Sequence, residues 1–170
     1  MKDSIVAAAT RVLLRAGLQA WSVDLVAAEA GCAKGLVHYH HGTKRELLGR
    51  VVEVMGRARQ ARRLDALTCT GAEALDRLWQ ALVREVRSGE WAAWAALAAE
   101  PGIKGPAESP ADLPALAVAI GRALEVPVLR AEEARLAAAA LDGIQMALHL
   151  GAPEEPVREA YHRLWLALLP

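Results

Sequence analysis

Two glycines, Gly31 and Gly42, cut the stretch from Ser22 to Leu48 into pieces of only about two helical turns. Helices that short are marginal in water and persist only where an apolar face is packed. Val23, Val26, Ala27 and Ala30 give the first piece such a face, and Ser22 stands where an N-cap belongs. After Gly31 the pattern predicts a second short helix from Lys34 to His40, stopped by Gly42. Thr43 and Glu46 have capping-box spacing, and Leu47, Leu48, Val51, Val52, Val54 and Met55 carry a long helix toward Leu67. Upstream, Ile5, Ala8, Ala9, Val12, Leu13 and Ala16 keep the amphipathic period, closed by Gly17. Two short helices bent against each other at a glycine outline a helix-turn-helix, whose second member enters the DNA major groove.

The rest also reads as helix. Thr70 and Glu73 are spaced as a capping box, opening a helix through Trp79 and Val86 that Ser88-Gly89 breaks. A short "EWAAWAALAAE" follows, and then a Pro- and Gly-dense loop over residues 101–114. Further helices are expected through Leu116, Ile120 and Leu124, from Leu129 to Leu150, and from Pro156 to Leu169. The fold class is all-α with about nine helices. A helix-turn-helix domain takes residues 1–48, and a second helical bundle takes 49–170.

Net charge is zero, but it divides unevenly. Residues 1–63 carry 11 Lys and Arg against 5 Asp and Glu, whereas residues 64–170 carry 9 against 15. A basic front suits an anionic partner and an acidic remainder does not. Two cysteines, Cys32 and Cys69, make no disulfide framework and no CxxC, which predicts a reducing cytoplasm. No apolar run approaches the roughly 18–20 residues of a membrane span, and the N-terminus has no signal-peptide pattern.

The segment "GCAKGLVHYHHGTKRELL" (Gly31–Leu48) concentrates polar tips. On a helical wheel Val37 and His41 share the inner face, leaving Leu36, His38, Tyr39 and His40 outward. Lys34 and Lys44 open successive helices, whose starts attract phosphate. Gly35 lets a backbone approach closely, imidazole and phenol tips can meet phosphate or base edges, and Leu36 suits a thymine methyl. Residues 5–53 resemble the N-terminal DNA-binding domain of the TetR family of bacterial transcriptional regulators. The resemblance is carried by Ser22, Ala27 to Gly31, Lys34-Gly35, His38 to His41, Gly42-Thr43-Lys44 and Leu47-Leu48. Three positions depart from that pattern: Leu25 replaces an acidic residue, His38 a common tyrosine, and His41 the usual core phenylalanine. The resemblance implies contacts to a double-stranded operator from Ser22, Lys34, Gly35, Leu36, His38, Tyr39, His40, Thr43 and Lys44.

Competing chemistry is thin. His38, His41 and Cys32 match no zinc spacing and no carboxylate joins them, so no metal or other cofactor is expected. No Gly-x-Ser-x-Gly, phosphate-binding glycine loop or His-Glu-x-x-His marks an enzyme. Glu132, Glu133, Asp142, Glu154 and Glu155 read as solvated helix charges. Trp79, Leu82, Val86, Trp91 and Trp94, with Met146 and His149, are candidates to line a cavity for an apolar effector, though plain core packing fits them equally. Leu136, Ala140, Ile144, Ala147 and Leu148 form one late stripe, and Leu164, Trp165, Leu168 and Leu169 another. They complete the core of one copy or, as the resemblance implies, form a four-helix dimer interface. The leading expectation is a homodimeric, ligand-responsive repressor; the alternative is a helical small-molecule binding or sequestering protein with a vestigial head, motivated by Leu25 and His41.

Overall fold

The computed structural model describes residues 1–103 and 112–169, so residues 104–111 of the expected loop lie outside it. Among the described residues there are nine α-helices: α1 (Lys2–Ala20), α2 (Val23–Ala30), α3 (Lys34–His41), α4 (Lys44–Ala66), α5 (Gly71–Arg87), α6 (Glu90–Ala98), α7 (Asp112–Leu124), α8 (Ala131–His149) and α9 (Glu154–Ala167). Two compact units share them. The first comprises residues 1–58 and 89–107, the second residues 59–88 and 108–170.

In the first unit α1 packs on α2, α3 and α6. Ile5, Ala8, Ala9, Val12 and Leu13 are buried as their period requires, against Trp21, Val26, Val37, Leu47, Leu48, Val51 and Val52. Gly17 breaks helical geometry (φ 74°, ψ 167°), and one more turn follows before Trp21. Leu97 and Ile103 complete this core, with Trp94 packed against it. His41, expected at a core position, is only half-buried, and its Nε2 meets the Lys2 carbonyl at 3.2 Å. Burial holds this imidazole below the usual histidine range, with the contact to Lys2 opposing the shift.

The second unit is built from the end of α4 with α5, α7, α8 and α9. Leu78, Trp79, Leu82, Leu116, Ile120, Leu141, Tyr161 and Trp165 form its core. Tyr161 lies tilted at 5.2 Å from Trp79 and edge-on at 5.5 Å from Trp165, and its hydroxyl donates to the Leu75 carbonyl at 2.7 Å. Two expectations need correction here. Thr70 occupies the N-cap of α5, but its side chain caps nothing, because Gly71, the first residue of the helix, has φ 65° and turns the chain away from helical entry. Asp142 is not a freely solvated charge: its carboxylate accepts from Arg59 at 2.9 Å and from Arg63.

That aspartate belongs to a buried polar network. Arg59 and Arg63 of α4, Glu85 of α5 and Gln145 of α8 are all nearly inaccessible to water. Arg59 Nε donates to Glu85 at 3.2 Å and its Nη2 to Gln145 Oε1 at 2.9 Å. Gln145 Nε2 donates to Glu85 at 2.9 Å and to the Leu82 carbonyl at 3.3 Å, while Arg62 Nε reaches Glu85 at 2.8 Å from a more exposed position. Burial pushes the Glu85 carboxyl up, yet the bond from Gln145 and the charges of Arg59 and Arg62 outweigh it and leave it below the usual range. Asp142 is held low in the same way by Arg63 and Arg59 against its own desolvation.

Candidate nucleic-acid interface

The two-helix element is set by backbone geometry. Ser22 Oγ accepts from the Leu25 N–H at 3.2 Å, so α2 is capped although it has no acidic residue at that position. Gly31 ends α2 in the left-handed region (φ 64°, ψ 36°), where a side chain would be penalised. Its N–H bonds to Ala28 O and that of Cys32 to Ala27 O, so the turn satisfies the last carbonyls of α2. Ala33 contributes no capping side chain to α3, which leaves the N-terminal donors of that helix for another acceptor.

Trp21, which carried no periodic signal, is the anchor that the sequence reading missed. It is 2% exposed, its Nε1 donates to the Ala9 carbonyl at 3.0 Å, and its own carbonyl accepts from Lys44 Nζ at 3.1 Å. The Lys44 ammonium lies 5.5 Å from the centre of the Trp21 ring, a cation–π distance. One side chain therefore joins α1 to the start of α4, on either side of α3.

On α3, Val37 is buried, His38 and Tyr39 are exposed, the latter by 83%, and Leu36 and His40, expected outward, are half-buried. Tyr39 sits edge-on to His40 at 5.2 Å. Gly35 is exposed, and a Cβ there would meet nothing. Lys34 pairs with Asp24 of α2 at 2.9 Å, both largely exposed; such a pair is weak enough for phosphate to replace the aspartate. Thr43 is already committed: its N–H and hydroxyl both donate to Glu46 Oε2, at 2.7 and 2.8 Å, and its Oγ1 accepts from the Glu46 N–H. These bonds hold the Glu46 carboxyl below its ordinary range.

Gly42 closes α3 at φ 68° and ψ −114°, a region that side chains avoid, and a Cβ there would lie 2.3 Å from Glu46 Oε2. The carboxylate cannot swing away without leaving Thr43. Gly42→Ala is therefore expected to destabilise the protein by about 1–3 kcal/mol, read as a lowered urea midpoint. A change within about 0.5 kcal/mol would show that the turn relaxes freely.

The remaining expected residues divide between the units. Trp91 and Trp94 lie in the first. Trp79 and Leu82 are fully buried in the second, Val86 is half-buried, and Met146 and His149 of α8 are exposed. On the late stripes Leu136 is exposed, whereas Ala140, Ile144, Ala147, Leu148, Leu164 and Leu168 are half-buried. Trp165, counted among them, is instead 2% exposed, because its ring packs on Tyr161 inside the chain's own core. Leu166 and Leu169 stand out from α9 and the residues after it.

Residues 5–51 match the model described as bacterial regulatory proteins, tetR family. Solved structures align along nearly the whole chain. A transcriptional regulator from Rhodococcus sp. Rha1 is 25% identical, with 99% of this chain and 95% of that one covered at a TM-score of 0.70. The multidrug binding protein EbrR, complexed with imidazole, is 25% identical over 95% and 88% at 0.67. A TetR-family transcriptional regulator from Streptomyces coelicolor, 20% identical over 99% of both chains at 0.65, shares the fold. Comparison with curated proteins finds no match.

Proposed function

Since the chain belongs to the tetR family of bacterial regulatory proteins, by residues 5–51 and a fold shared along nearly its whole length, we propose that this DNA-binding regulator is a homodimeric repressor released by a small apolar effector. The observation that carries the DNA half is α3 itself: eight residues, capped by no side chain at its start, with Tyr39 and His38 held outward by buried Val37 and by the Gly31 and Gly42 turns. Residues 1–48 are the reading head and residues 49–170 the effector and dimer portion. Ser22, Lys34, Gly35, Leu36, His38, Tyr39, His40 and Lys44 make the contacts; Thr43 acts by fixing the start of α4. Of the two departures that motivated a vestigial head, Leu25 still lets its N–H donate to Ser22 Oγ and His41 meets the Lys2 carbonyl, which supports a working one.

An eight-residue helix meets few base pairs, so two heads must add their contacts at successive major grooves, roughly 34–36 Å apart. Leu136, Ala140, Ile144, Ala147, Leu148, Leu164 and Leu168 are proposed to join the copies. Trp79, Leu82 and Val86 of α5, with Met146 and His149 of α8, are proposed to meet the effector. Effector binding is proposed to move α4 and so to spoil the spacing of the two heads. Any such release requires the effector to bind one state better than the other, typically by about 1–3 kcal/mol.

Salt titration of operator binding tests the DNA half. Lys44→Ala is expected to weaken all sequences alike and to reduce the slope of log K against log salt by about one. An unchanged slope would mean that the ammonium serves Trp21 alone.

A further inference from the structure

His38 is held by a contact that decides what its outer edge can do. Its Nδ1 lies 2.8 Å from the Gly42 carbonyl oxygen. A carbonyl only accepts, so Nδ1 carries the hydrogen, and the Nε2 of the neutral ring is bare. The residue is exposed on α3, and among the described residues Nε2 has no hydrogen-bond partner. We propose that His38 determines specificity by accepting, at Nε2, a hydrogen bond from an exocyclic amino group in the major groove, N4 of cytosine or N6 of adenine. The inference rests on α3 being the recognition helix and narrows what that helix reads.

The other edges do not suit it. Guanine N7 and O6, thymine O4 and phosphate oxygens all accept, and a bare ring nitrogen set against any of them leaves two lone pairs with no proton between. A hydroxyl at this position would rotate to donate or accept as required. Neutral His38 has one hydrogen, and Gly42 holds it. Nor does the Gly42 carbonyl readily turn away, because its residue is packed against the Glu46 carboxylate that Thr43 grips. The contact that caps α3 thus fixes the tautomer, and the tautomer fixes which bases are acceptable.

Random-duplex selection with the full chain, in mildly alkaline buffer, supplies the half-site. The base pair at which His38→Ala loses preference is the one His38 reads. Replacing its cytosine by 2-pyrimidinone, or its adenine by unsubstituted purine, removes only the amino group. Wild-type affinity is expected to fall about tenfold on that replacement, and the His38→Ala affinity to stay unchanged. Equal losses in both proteins, or no position relaxed by His38→Ala, would each overturn the proposal while the selected duplex still stands. Failure to enrich any duplex would overturn the recognition-helix reading, and the proposal with it. Should His38→Ala not fold, long-range 1H–15N spectra of the wild type decide the point: a bare Nε2 is expected, and a hydrogen on Nε2 with bare Nδ1 overturns it.

Discussion

Glu85→Ala is expected to destabilise the protein by about 3–5 kcal/mol, because it leaves a buried arginine without one of its compensating charges. Glu85 is 4% exposed and accepts from Arg59, Arg62 and Gln145. Without it Arg62 retreats to water easily, being partly exposed, but Arg59 cannot, with only 6% of its side chain accessible. Arg59 would then depend on Asp142, which already serves Arg63. Glu85→Gln keeps the shape and some hydrogen bonds, and should cost less, about 1–3 kcal/mol. Arg130→Ala is the control: that residue is 77% exposed beside Glu133 and should leave the urea midpoint essentially where it is. Urea titrations followed by circular dichroism measure all three. A Glu85→Ala loss below about 1 kcal/mol would show that the network rehydrates rather than stabilises.

The pH dependence has a definite sign. Glu85 and Asp142 have folded-state values depressed below their ordinary 4.5 and 3.8. Stability from such groups is fully present above the unfolded values and is lost as pH falls through the folded ones. The difference between wild type and Glu85→Ala should therefore be constant at neutral pH and shrink only in acid, below the ordinary carboxylate range.

None of this network was legible in the sequence. Arg59, Arg62 and Arg63 fall in "RARQARRLDA", a run that reads as a solvated helix face, and Asp142 reads as one more surface charge on an alanine-rich helix. What buries them is the packing of partners 26 and 83 residues away from Arg59, and no local period reports that. The head was legible because its determinants are local. The left-handed Gly31, the stop at Gly42, the Thr43–Glu46 box and the inward Val37 each follow from residues within a turn or two. Thr70 shows where local reading fails: Thr43 and Thr70 have the same spacing to a glutamate, but Gly71 changes the backbone in between. Tyr161 and Trp165 show a second failure. One helix presents both an inner and an outer apolar side, and periodicity alone cannot say on which of them Trp165 lies.

Trp21→Ala is expected to remove DNA binding without touching any outward residue of α3. Emptying a fully buried tryptophan site costs about 3–5 kcal/mol. The loss falls at the place where α1, the start of α2 and the start of α4 are tied: the indole bond to Ala9, the packing on the head's core, and the ring beneath the Lys44 ammonium. Exchange of the α1, α2 and α3 amides should accelerate, whereas amides of the second unit's core, built on Leu78, Trp79 and Tyr161, should keep most of their protection. Trp21→Phe separates the causes. It retains the ring and most of the volume but loses the Nε1 donor, so about 1–2 kcal/mol is expected and operator binding should survive. The Ala9 carbonyl lies within α1, so losing the indole does not strand it. Normal amide protection in Trp21→Ala together with wild-type affinity would show that the head is held by its aliphatic residues alone. Lost affinity with unchanged protection would instead move the effect to Lys44, whose ammonium would then have lost the ring that aims it.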